Sequence, residues 1–71
     1  MSLGQSTLSD DERRTEAEKL VKELFDHLEE MSYRERDFIS RFFGQFDAGI
    51  QPYVSPKQLF WMRDLYGRYC V

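Results

Sequence analysis

Three serines, each with a Glu or Gln three residues downstream, divide this chain into helices: Ser9 with Glu12, Ser32 with Glu35, and Ser55 with Gln58. At that spacing the serine oxygen accepts from an otherwise unpaired amide of the first helical turn, while the longer side chain reaches back to the serine amide. Pro56, directly after Ser55, reinforces the third start, because the first helical position has no intrahelical N–H bond to lose. Each box precedes an apolar run at helical period. The pattern therefore predicts an all-α fold, a small three-helix bundle with a long N-terminal helix.

From Asp10 to Met31 the apolar residues Ala17, Leu20, Val21, Leu24, Phe25, Leu28 and Met31 share one helical stripe. A continuous helix over this 22-residue stretch would be about 33 Å long against about 21 to 23 Å for the other two, so the polar turns before Ala17 are expected to project beyond the packed body. The second helix, Tyr33 to about Phe46, carries Phe38, Ile39, Phe42, Phe43 and Phe46 on one face and Arg34, Asp37 and Arg41 on the other. Gly44 lies on that polar side, which implies either a helix end or a close backbone approach, and Gly49 is the stronger stop signal. The third helix, Pro56 to about Tyr69, turns Leu59, Met62, Leu65, Tyr66 and Tyr69 inward. It leaves Phe60 on nearly the opposite side, to be covered by the Asp47 to Val54 connector or used in an interface.

With 71 residues the chain forms one domain at most, read as residues 9–71 behind a disordered leader, residues 1–8. A domain of this size buries only about 60% of its unfolded surface, which makes oligomerisation an expected source of stability. One cysteine, Cys70, excludes an internal disulfide. No apolar run is long enough to cross a bilayer, so the expected compartment is the cytoplasm and no membrane partner is expected. Charge divides unevenly. Residues 1–31 hold nine acids and four bases, whereas residues 32–71 hold four acids, six bases and ten of the eleven aromatics. A basic, aromatic second half either binds an anionic partner or is neutralised by the acidic first helix, and the second reading is favoured.

No catalytic constellation emerges. His27 stands on or beside the apolar stripe with no Cys, Asp or Glu at a recurring metal-ligand spacing, and Cys70 has no histidine near it in sequence to hold a thiolate. The connector lacks a Gly-rich phosphate loop, and Phe46-Asp47-Ala48-Gly49 lacks the alternating oxygen ligands of a calcium loop. The expectation is a non-enzymatic protein without metal or cofactor. It is read as a helical interaction module for a protein partner, self or host, with a homodimer one form of this and Phe60, Trp61 and Arg63 as contact residues. The alternative is an accessory nucleic-acid-binding protein placing Arg34, Arg41, Lys57, Arg63 and Arg68 on phosphates. A third reading presents the acidic face of Glu16, Glu23, Asp26 and Glu30 as a decoy for DNA.

Arg36-Asp37-Phe38-Ile39 followed by the run from Val54 to Tyr66, VSPKQLFWMRDLY, resembles a short helical hairpin of uncharacterised phage and bacterial proteins, also appended to some phage replication or recombination proteins. That pattern is a Phe-containing helix, a loop, then Ser-x-Lys-Gln and a helix with Trp and a terminal Tyr. It covers about half of the chain and omits the acidic first helix. The resemblance implies a mobile-element or DNA-metabolism context and marks no residue as catalytic.

Overall fold

All three serine boxes form, and each starts a helix. In the computed structural model, which describes residues 8–70, α1 spans Asp10–Leu24, α2 spans Tyr33–Asp47 and α3 spans Pro56–Tyr69. In each box the serine hydroxyl accepts the N–H three residues on, and the Glu or Gln accepts the serine N–H. The protein is a three-helix bundle, and among the described residues it has no strand.

The first helical stretch, from Asp10 to Glu30, is longer than α2 or α3, as expected, but it is not one continuous α-helix. After Leu24 the chain tightens into a 3₁₀ segment, Phe25–Glu30, which His27 interrupts with φ −116° and ψ 18°. Three residues per turn align Phe25, Leu28 and Met31 along one edge, so the tighter winding keeps the apolar side inward as well as an α-helix would. Met31 is buried, Leu28 is half-buried, and the Phe25 ring stacks on Phe43 at 3.7 Å between centroids and 9° between planes. The i,i+3 pair between His27 Nδ1 and Glu30 Oε2, 2.9 Å, also suits this winding.

At the other end of α1 the polar turns do not project. Arg13 is only 8% exposed: its Nε donates to the Val54 carbonyl and its Nη1 to the Leu8 carbonyl, both at 2.8 Å, while Nη2 pairs with Asp10. The Tyr53 ring covers the guanidinium from 5.8 Å. Leu8, assigned to the leader on sequence grounds, packs against the core; the rest of that leader lies outside the described residues.

The same arrangement recurs. In each box the residue before the serine is apolar (Leu8, Met31, Val54) and its carbonyl accepts from an arginine. Arg13 serves Leu8 and Val54, and Arg36 Nη2 reaches the Met31 carbonyl at 3.4 Å. Val54 and Leu59, flanking the third box, are both buried, which is the hydrophobic staple that fixes the entry angle of α3.

Ala17, Val21 and Leu24 of α1 pack with Ile39, Phe42 and Phe46 of α2, with Leu59, Met62 and Leu65 of α3, and with Met31 and Val54 from the connections. The stripe expected from α1 is rotated slightly, since Leu20, Phe25 and Leu28 are half-buried at its edge. α1 is the central element. It packs closely on both α2 and α3, which approach each other less closely.

α2 runs through Gly44 and stops at Gly49, whose φ of +81° is the left-handed conformation that favours glycine. Gly49 N–H donates to the Phe46 carbonyl and Ile50 N–H to the Gln45 carbonyl, the paired bonds of a Schellman stop. Gly44 is neither a stop nor a close approach, because a Cβ built there meets nothing within 4 Å.

Two stability outcomes follow from these positions. Arg13→Ala leaves the buried Val54 carbonyl without its donor and is expected to cost about 2–3 kcal/mol in urea unfolding, with Arg13→Lys recovering less than half because an ammonium cannot span two carbonyls. Gly44→Ala is expected to raise stability by about 0.4–1 kcal/mol in the same assay.

Candidate functional site

The shallower approach of α2 to α3 leaves a groove lined by Phe38 from α2, by Lys57, Gln58, Phe60, Trp61 and Asp64 from α3, and by Ser55. Its volume is about 600 Å³. Phe38 and Trp61 form its floor, stacked at 4.1 Å between centroids and 21° between planes, and Phe42 meets Phe38 edge-on at 5.4 Å. Phe60 stands on the rim with 73% of its surface exposed, so the connector does not cover it. Lys57, Phe60, Trp61 and Asp64 succeed one another at intervals of three, one and three along α3, which fixes them on one face of that helix.

Of the three contact residues expected from sequence, the structure brings Phe60 and Trp61 together and takes Arg63 away from them. Arg63 turns toward α1, where Nε and Nη2 hold the Glu16 carboxylate bidentately at 2.6 and 2.7 Å. That fork lowers the pKa of the Glu16 carboxyl, against the opposing effect of its burial, and raises that of the Arg63 guanidinium.

The five cations proposed for phosphate contact do not form one surface. Besides Arg63, Arg41 pairs with Asp37 at 3.3 Å, and Arg68 pairs with Asp64 at 3.3 Å and with Glu35 at 3.5 Å. Only Arg34 and Lys57 have no ion pair among the described residues, and of these Lys57 lines the groove. Of the four acids expected to form a decoy face, three are engaged, while Asp26 has no ion pair or side-chain hydrogen bond among the described residues. Glu16 holds Arg63, Glu23 accepts the Tyr66 hydroxyl at 3.2 Å, and Glu30 pairs with His27.

A second polar junction ties the end of α3 to the start of α2. The Tyr69 hydroxyl donates to Glu35 Oε1 at 2.9 Å, so this carboxylate serves the Ser32 amide, Tyr69 and Arg68 together. Its pKa is lowered, chiefly by the bond from the Ser32 amide. Tyr66 and Tyr69 are correspondingly held as phenols by Glu23 and Glu35. Burial raises the pKa of the half-buried Cys70 thiol, and the charges of Glu23, Glu30 and Asp26 add to the effect, the reverse of what activates a nucleophile. Among the described residues, no group of three or more His, Cys, Asp or Glu side chains is placed to hold a metal ion, and no helix is long and apolar enough to cross a membrane.

Tyr53, Val54 and Arg13 are the residues whose roles periodicity missed, because Arg13 and Val54 are joined through a backbone carbonyl across 41 positions. Comparison with protein-family models, with curated proteins and with solved structures finds no match to this chain.

The two lowered carboxyls set a pH dependence. Glu16 and Glu35 bind fewer protons folded than unfolded just below the ordinary carboxylate range, so their contribution is complete above that range and declines as pH falls through the folded values. Glu16→Gln is expected to flatten the acid limb of a stability-versus-pH curve. At neutral pH it should cost about 0.5–1 kcal/mol in low salt, and less in high salt, as suits a half-exposed pair.

Proposed function

We infer that this chain is a non-enzymatic helical interaction module that engages a protein partner through the groove between α2 and α3, with Phe60 and Trp61 as the anchors. The observation that carries this reading is Phe60. A phenylalanine with 73% of its surface in water, beside a stacked aromatic floor, contributes little to the fold and supplies the kind of side chain that dominates interface energetics. Ion pairing supports a protein partner over a nucleic acid, since three of the five candidate phosphate-binding cations are already neutralised within the chain. Asp64 in the groove also opposes an anionic backbone. A phage or mobile-element setting rests on the hairpin resemblance of the second half.

The test is affinity capture with the tagged chain, with and without nuclease, comparing the wild type with Phe60→Ser. Phe60→Ser is expected to leave thermal unfolding nearly unchanged, as an exposed substitution does, and to lose a protein that the wild type retains after nuclease treatment. Capture that nuclease abolishes would replace this reading with the nucleic-acid one. Capture indifferent to Phe60→Ser would remove the groove from it.

A further inference from the structure

We propose that the groove between α2 and α3 is filled by a second copy of this chain, α3 packing antiparallel on α3 across a two-fold axis that passes between Phe60 and Trp61. The inference rests on the reading of that groove as the interaction surface and names its occupant.

The groove face of α3 is self-complementary when reversed. Lys57 and Asp64 lie two helical turns apart, about 10 Å along the axis, on either side of Phe60 and Trp61. An antiparallel copy centred between the two aromatics sets Lys57 of each chain opposite the partner's Asp64 and sets Phe60 of each beside the partner's Trp61. The two ion pairs and the aromatic contact then form twice by symmetry, as an isologous interface requires.

Each element of this pairing is available. Lys57 has no ion pair among the described residues. Asp64 meets Arg68 at 3.3 Å through one oxygen, and its carboxylate accommodates a second cation. Phe60 projects from the fold, while the Phe38 and Trp61 stack offers it an aromatic floor in the opposite protomer. Other occupants fit less well. A uniformly acidic ligand meets Asp64, a uniformly basic one meets Lys57, and the centres of the apolar stripes of α1 and α2, Ala17, Val21 and Leu24 with Ile39, Phe42 and Phe46, are already buried in the core. A contact of one heptad is short, so the association is weak and concentration-dependent.

The experiment measures the molar mass of the purified chain by sedimentation over a concentration series reaching the millimolar range, for the wild type, Phe60→Ser, Lys57→Asp, Asp64→Lys, and an equimolar mixture of the last two. All three sites are exposed, so the variants keep the fold, which circular dichroism checks. The wild type is expected to dimerise. Phe60→Ser, Lys57→Asp and Asp64→Lys should each associate about tenfold more weakly or worse, because the charge changes place like charges opposite each other at two symmetric points. Mixing Lys57→Asp with Asp64→Lys should restore dimerisation as a heterodimer, an outcome specific to the antiparallel register. A wild type that stays monomeric, a dimer insensitive to Phe60→Ser, or a mixture that fails to pair would overturn the proposal. A monomeric wild type whose captured partner is lost with Phe60→Ser would overturn the second copy alone and leave the groove as the interaction surface.

Discussion

The guanidinium of Arg13 is the contact through which the bundle holds its register. Two chain segments that precede helices converge on it, Leu8 before α1 and Val54 before α3, and each contributes the carbonyl that its own capping box leaves unpaired. Arginine suits this position because its planar fork donates in several fixed directions at once, and Asp10 with the Tyr53 ring compensates the charge as it is withdrawn from water. Burial of Val54 beside Leu59 then seats α3 against α1. The bidentate pair between Arg63 and Glu16, further along the same two helices, works in the same direction from the surface.

This anchoring has a consequence for the opposite side of the molecule. Since α1 receives both α2 and α3, the two outer helices approach each other less closely, and among the described residues no further α-helix covers the cleft. Aromatic rings bridge it: Phe38 against Trp61 in the middle, and the Tyr69 hydroxyl on Glu35 at one end. Flat, wide side chains span a gap that aliphatic residues of short reach would leave open. Phe60 is what remains beyond that bridge, on the same helical face and 73% exposed, and among the described residues no aromatic ring stacks on it.

The signals legible in the sequence were those written into adjacent residues. Serine and its partner three positions on specify a helix start through local bonds alone, and all three starts lie where the spacing places them. Apolar spacing likewise located most of the core. It could not distinguish an α-helix from a 3₁₀ turn between Phe25 and Met31, because residues three apart share an edge in both. Nor could it reveal that Arg13 is buried, since its partner is a carbonyl 41 positions away. One local signal was present: an apolar residue before each serine, with Arg13, Arg36 or Leu59 five positions after that residue. Arg13 and Arg36 bond back to the carbonyl of that apolar residue, whereas Leu59 packs with Val54 in the core.

For the groove, the limiting factor was charge rather than shape. Counting bases along the second half makes Arg34, Arg41, Lys57, Arg63 and Arg68 look like one basic surface, because the count ignores the direction in which each side chain leaves its helix. Folding sorts them: Arg63 meets an acid of α1, Arg41 one of its own helix, and Arg68 both Asp64 and Glu35. An internally paired cation has part of its field cancelled before a ligand arrives, and breaking the pair subtracts from any new contact it makes. Other groups are left unmatched by the fold. Within the groove those are the Lys57 ammonium and the Phe60 ring, one turn apart on α3, and a contact made to either gives up no pair within the chain's described residues.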